Sequence, residues 1–187
     1  MINDLNAAIE ILKSGGVILY PTDTVWGLGC DATNEKAVER IYQIKKRNDS
    51  KSMIILLDNE NKIPSYIKEM PEIAWDLIDL TENPLTIIYQ GAKNIATNLI
   101  AADGSIGIRV SKDIFNKKLI EKLRKPIVST SANISGETTP KNYDEITNEI
   151  LDSVDYIVKW RQNDFSKSTP SSIIRIGVKG EIEIIRK

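Results

Sequence analysis

Four short polar stretches in this chain could do chemistry, and each sits against an apolar run. Thr22, Asp23 and Thr24 follow the run Val17–Tyr20 and Pro21. Lys45, Lys46, Arg47 and Lys51 form a cationic group. Arg109 lies between Ile108 and Val110, and the tract SANISG (131–136) follows Ser129 and Thr130. Hydroxyls and main-chain groups at the end of a rigid strand can orient a polar substrate. An arginine fork beside a lysine point charge matches phosphate and carboxylate oxygens. Each stretch also has a plainer reading. Cations favour helix C-termini, and Ser and Asn fill caps and turns. An arginine inside an apolar strand needs an anion, which either a substrate or a structural salt bridge supplies. Together the stretches point to a small, anionic, phosphate-bearing substrate.

Composition narrows the chemistry further. There is no histidine, which removes Ser-His-Asp triads, histidine general bases and most zinc sites. The single cysteine, Cys30, permits no intrachain disulfide. Without a histidine, Ser131 is a poor activated nucleophile. The formal net charge of -1 argues against wholesale nucleic-acid binding but allows a local basic cleft. Neither a signal peptide nor an 18-residue apolar span is visible, so a cytoplasmic protein without membrane contact is expected. A length of 187 residues fits one domain, 1–187, with no additional C-terminal domain.

The elements that must carry these residues can be read from periodicity. Leu5, Ala8, Ile9 and Leu12 predict a helix over Asp4–Lys13. Val38, Ile41 and Tyr42 predict a second from Glu35, with Lys45 at its end. Met70–Leu80 predicts a third, with Ile73, Ala74, Leu77 and Ile78 inward. Asp113–Leu123 and Tyr143–Leu151 complete the helices. Strands are expected at Val17–Tyr20, Met53–Leu57, Leu85–Tyr89, Ile106–Val110, Ile127–Thr130 and Val154–Val158. A terminal pair is expected at Ser172–Ile176 and Glu181–Ile185. Gly27 and Gly29 read as a tight turn, 48–52 as a polar turn, 90–105 as irregular and 159–170 as a polar, mobile stretch. Interleaved helices and β-branched strands give an α/β, α+β-like mixed domain on a large twisted mixed sheet flanked by helices. Dinucleotide and P-loop fingerprints are absent: G-x-G at Gly27 and Gly29 lacks its third glycine.

The joint run LYPTDTVWGLGCDA, IYQIKKR, SIGIRV and PIVSTSANISG resembles the YrdC/Sua5 family, the threonylcarbamoyl-AMP synthases of tRNA modification. The likeness covers roughly residues 8–187 and the short bacterial form. It implies a YrdC-like fold and a nucleotidyltransferase that makes L-threonylcarbamoyladenylate and pyrophosphate from L-threonine, bicarbonate or CO₂, and ATP. Mg²⁺ would come with ATP, with no protein metal ligand and no organic cofactor. The product would pass to the tRNA threonylcarbamoyl transferase machinery for N6-threonylcarbamoyladenosine (t6A) formation in tRNAs reading codons that begin with A.

By position, the resemblance implies threonine contacts at Thr22, Thr24, Leu56, Arg109, Ser129 and Ser171. It implies ATP contacts at Lys45, Arg47, Lys51, Ser105, Ser131, Asn133, Thr139 and Arg186. Lys45, Arg47, Ser131 and Asn133 are the expected catalytic set. The chain departs from the family's pattern at Asn48, at Thr81–Pro84 and at Arg175, where the family has an aspartate. Two other readings stand beside this one. An RNA-binding or ribosome-assembly protein would use Lys45–Lys51 and Lys117, Lys118, Lys122, Arg124 and Lys125. A carbamoyl-adenylate activity like that of hydrogenase-maturation proteins would need partner domains.

Overall fold

Leu5, Ala8, Ile9 and Leu12 form the buried stripe of helix α1 (Ile2–Lys13) in the computed structural model, which describes residues 1–46, 53–166, 169–177 and 180–187. Helix α2 (Glu35–Ile44) starts at Asn34, whose side-chain oxygen accepts from Lys36 N and Ala37 N. Helix α3 spans Glu72–Leu80. Helix α4 (Ile114–Leu123) is capped the same way by Asp113 and ends at Arg124, in the left-handed conformation. Helix α5 is a single turn, Asn148–Leu151.

The strands are β1 (Ile18–Tyr20), β2 (Gly27–Gly29), β3 (Ile54–Leu57), β4 (Leu85–Tyr89), β5 (Ile106–Val110), β6 (Ile127–Ser131), β7 (Tyr156–Ile157), β8 (Ser172–Ile176) and β9 (Ile182–Arg186). Among the described residues they make one nine-stranded sheet in the order β7-β1-β2-β6-β3-β5-β4-β8-β9. The pairs β1–β7, β3–β5 and β4–β8 are parallel and the others antiparallel, so the sheet is mixed. This is the α/β architecture that the periodicities predict. No helix among the described residues is long and apolar enough to cross a membrane.

Side chains alternate across the two faces, and each face has its own core. One core gathers Leu19, Leu28, Ile55, Leu57, Ile87, Ile108 and Val128 under α2 and the loops around α3. The other gathers Ile18, Tyr20, Leu56 and Ile127 under α1 and α4, with Phe115 and Leu119. The helices of this second face cover only part of it. Past Leu56 and Ile127, the same-face positions Ile54 and Ser129 open into a cleft. At the sheet's edge, β9 is exposed along its length, including Ile182, Ile184 and Ile185.

Several local readings change. Gly27 and Gly29 are not a turn but strand β2, paired with β1 and β6. Their missing side chains permit that pairing: a Cβ on Gly29 would stand 2.5 Å from Tyr20 Cε1 and 2.9 Å from Val128 O. The helix expected over Tyr143–Leu151 is broken. A 3-10 turn (Tyr143–Glu145) ends at Ile146, and the extended Thr147 restarts the chain as α5. Of the expected Val154–Val158 strand, Tyr156–Ile157 is regular strand, flanked by backbone bonds from Asp155 N to Val17 O and from Val158 N to Leu19 O. Ile73 of α3 faces outward, with Ala74 the fully buried member of that helix. A 3-10 turn, Thr97–Leu99, lies in the stretch read as irregular. The expected polar turn at 48–52 lies outside the described residues.

Gly29 supplies a direct test of this packing. Gly29→Ala should destabilise the protein by about 1–3 kcal/mol, the usual cost of an overpacked site. Thermal melts against wild type read this, and an unchanged midpoint would contradict the close β1–β2–β6 approach.

Candidate functional site

The open part of the second face is lined by Thr24, Val25 and Gly27, by Met53 and Ile54, by Thr86 and Arg109, and by Ser129, Thr130 and Ser131. Thr139, Pro170, Ser171, Ile173 and Arg186 close the far side. The cleft measures about 180 Å³. Strand register explains which residues meet there. Arg109 is the cross-strand neighbour of both Leu56 and Thr86, and Ile54 is the neighbour of both Gly107 and Ser129. Ile173 stands opposite Thr86 on one side and Arg186 on the other. Gly107 leaves room for Ile54 to lean across, since a Cβ there would stand 2.8 Å from Ile54 Cγ2.

Among the described residues, two guanidiniums face this cleft. Arg109 is 4 % exposed, and its Nη2 lies 3.1 Å from Asp23 Oδ1. The two readings open for Arg109 therefore coincide: it has a structural carboxylate partner and it lines the cleft. Arg186 donates from Nε and Nη2 to Ser171 O, at 2.9 and 2.7 Å. Burial, and then the charge of Arg109, push Arg186 below its ordinary value. Two cations on one cleft favour an anion there. Between them, Thr86 Oγ1 and Ser171 Oγ share a 2.8 Å hydrogen bond. Burial keeps the neighbouring Tyr20 phenol far above its usual range, so it stays neutral.

The 21–25 loop is fixed from several sides. Thr22 Oγ1 accepts from Thr24 N at 3.0 Å and donates to Val25 O at 2.7 Å. It also shares a 2.9 Å bond with Thr24 Oγ1. Asn116, wholly buried in α4, donates to Pro21 O. Arg161 Nη1 donates to Thr22 O and Asp113 Oδ2, and its Nε to Asp164 Oδ2. The stretch read as polar and mobile thus begins with a strap across the loop.

The expected site residues divide into groups. Thr24, Arg109, Ser129, Ser131, Thr139, Ser171 and Arg186 all line the cleft. Thr22 lies behind Thr24 and shapes the loop. Leu56 lies in the core under α1 and α4, and the wall at this strand is Met53 and Ile54. The reason is that Leu56 sits one pleat closer to those helices. Ser105 donates its hydroxyl to Asp103 Oδ1 at 2.6 Å and is not a wall residue. Asn133 donates its amide to Ile134 O and Glu137 O, bracing its own loop rather than the wall. Lys45, 2 % exposed, places Nζ 2.6 Å from both Ser131 O and Asn133 O. Its ammonium holds the end of β6. Arg47 and Lys51 lie outside the described residues. On the α4 side, Lys125 pairs with Asp31, while Lys117, Lys122 and Arg124 are exposed.

Asp23 and Thr86 are the contributors that the sequence reading left without a role. Asp23 is visible only as part of a polar triplet. Thr86 is a hydroxyl inside the apolar run LTIIY, and only the β4–β5 register places it opposite Arg109.

A basic, hydroxyl-lined cleft on the open part of a mixed sheet face defines an α/β domain suited to a small anionic ligand. The chain belongs to the Sua5/YciO/YrdC family, whose profile, described as Telomere recombination, matches residues 10–187. Threonylcarbamoyl-AMP synthase of Pseudoalteromonas translucida is 34% identical over 180 residues, 94% of each chain. E. coli YciO superposes with a TM-score of 0.84 at 27% identity, covering 98% of this chain and 88% of that one. P. abyssi Sua5 complexed with L-threonine superposes with a TM-score of 0.82 at 26% identity over 92% of this chain. This chain spans about half of that archaeal protein, 50% of its length.

Lys45 offers a test of how the wall is held. Lys45→Met keeps the stem and removes the two charge-assisted bonds to Ser131 O, at the end of β6, and to Asn133 O just beyond it. It should lower stability by on the order of 1.5–3 kcal/mol and raise hydrogen exchange across 131–137. A variant with unchanged melting and unchanged exchange there would show that the tether is not needed.

Proposed function

We propose that the protein is an L-threonylcarbamoyladenylate synthase that makes threonylcarbamoyl-AMP and pyrophosphate from L-threonine, bicarbonate or CO₂, and ATP. The observation that carries this reading is the convergence of Arg109 and Arg186 with the hydroxyls of Thr24, Thr86, Ser129, Ser131 and Ser171 on one small cleft. A relative of matching length bears the synthase name, and an archaeal relative has been crystallised with L-threonine.

The chemistry follows from what these residues can hold. Arg109 would bind the threonine carboxylate, and the hydroxyls of Thr24, Ser129 and Ser171 would orient the amino acid. The threonine amine attacks bicarbonate or CO₂ to give a carbamate, with loss of water when bicarbonate is used. A carbamate oxygen then forms its bond to the α-phosphorus of ATP, the bond to the β-phosphate oxygen breaks, and pyrophosphate leaves. Such a step asks mainly for positioning and for charge to be offset. Arg186, with Lys45, Arg47 and Lys51 as the resemblance implies, would offset that charge. Ser131 and Thr139 would meet the nucleotide. As the resemblance implies, Mg²⁺ would enter on the triphosphate. The adenylate would then be consumed in t6A formation on tRNA.

Product analysis tests the reading. The protein incubated with ATP, Mg²⁺, L-threonine and bicarbonate should give threonylcarbamoyl-AMP by mass spectrometry and release pyrophosphate only when all are present. Arg109→Lys keeps the charge but loses the planar fork. It should raise the threonine requirement about tenfold or more, equivalent to roughly 1.4 kcal/mol, and leave ATP binding nearly intact. A lysine variant that keeps its threonine dependence but loses ATP affinity would assign Arg109 to the nucleotide instead.

A further inference from the structure

The ion pair behind the cleft has a geometry that a purely structural contact would not need. Asp23 Oδ1 and Arg109 Nη2 are 3.1 Å apart, with side chains 7% and 4% exposed. Yet among the described residues neither atom makes an aligned hydrogen bond, and Arg109 Nε makes none either. The attraction is one of charge, without the two parallel bonds of a bidentate arginine–carboxylate pair. Asp23 is held from several sides. Its Oδ2 accepts from Lys112 N at 3.3 Å, and the main chain on both sides is held by Thr22, Asn116 and Arg161. Buried N–H groups left this way are costly until something accepts from them. The cleft that Arg109 lines is where an acceptor can arrive.

We propose that Asp23 is a positioning residue for the substrate carboxylate. It fixes the Arg109 guanidinium against the cleft by charge while leaving N–H groups uncommitted for an incoming carboxylate. It also offsets one of the two guanidinium charges, so that the empty cleft is only moderately positive. The proposal rests on the reading of this cleft as an amino-acid site. It predicts that Asp23 governs the amino-acid half of the reaction and not the nucleotide half.

The test is steady-state adenylate formation by the full chain, with threonine and ATP each titrated, in wild type, Asp23→Asn, Asp23→Glu, Arg109→Lys and the double variant Asp23→Asn/Arg109→Lys. Asp23→Asn should raise the threonine KM about tenfold or more, the scale of a misplaced binding group, with the ATP KM little changed. Asp23→Glu should recover part of the loss. The double variant should be no worse than Arg109→Lys, because both changes act through one guanidinium. An Asp23→Asn enzyme whose threonine KM is unchanged or lower would overturn the proposal while leaving the cleft's assignment intact. Full additivity in the double variant would do the same. A wild type with no threonine dependence would overturn both. Should Asp23→Asn fail to fold, Asp23→Glu carries the test: a raised threonine KM with an unchanged ATP KM supports the role, and unchanged values for both overturn it.

Discussion

The period of two along a β-strand decides where this protein can have a site. Residues that share a face share a fate. On the face carrying Leu56 and Ile127, α1 and α4 cover one end of the strands and stop. The continuation of that face has to be polar enough to meet water, and it is Ser129, Ser131, Thr86, Arg109 and Arg186 that continue it. The strand positions in the wall are therefore held by ladder hydrogen bonds, and the loop residues Thr24, Thr139 and Ser171 complete it. A slip of one residue in β6 would send Ser129 into the opposite core and bring Val128 into the cleft. The same alternation that makes the fold makes the site.

Charge is handled by distribution in a chain without histidine. Arg109 has a carboxylate close by, Arg186 has a carbonyl, and Lys45 has two carbonyls. None of the three reaches the cleft region as an unsupported cation. Each is partly satisfied by a fixed group, which keeps the cost of burial tolerable and fixes where the positive potential lies. Stabilisation of a developing negative charge by groups already in place requires little reorganisation during reaction.

Much of the architecture is legible in the sequence, because long apolar stripes and β-branched runs dominate it. The α1 stripe, α2 from Glu35 and the apolar runs of β3, β4 and β5 follow from local pattern alone. Features set by distant contacts do not. Gly27–Gly29 resembles a turn until Tyr20 and Val128 come close enough to require glycine. Ile73 matches the inward stripe of α3, but the surrounding structure leaves it exposed. In the site, strand-end hydroxyls and a buried arginine could be anticipated by type. Which of them converge could not, since that depends on register between strands far apart in sequence. Asn133 gives its amide N–H groups and Ser105 its hydroxyl to their own loops, and no spacing rule anticipates that.

The strand that carries Arg186 is the last in the sheet. β9 pairs with β8 on one side, and its register is interrupted between Ile173 and Ile174, beside the residue that faces Arg186. Edge elements with few buried contacts open more readily than central ones, at a free energy well below that of global unfolding. Were β9 to fray, the cleft would lose the Arg186 guanidinium while Arg109, on an interior strand of the sheet, stayed in place. Any affinity of the cleft for an anion would thereby depend on whether β9 stays paired. A ligand that draws Arg186 inward would tighten the chain's terminus, and protection of amides in β9 would report occupancy of a site formed largely by other strands.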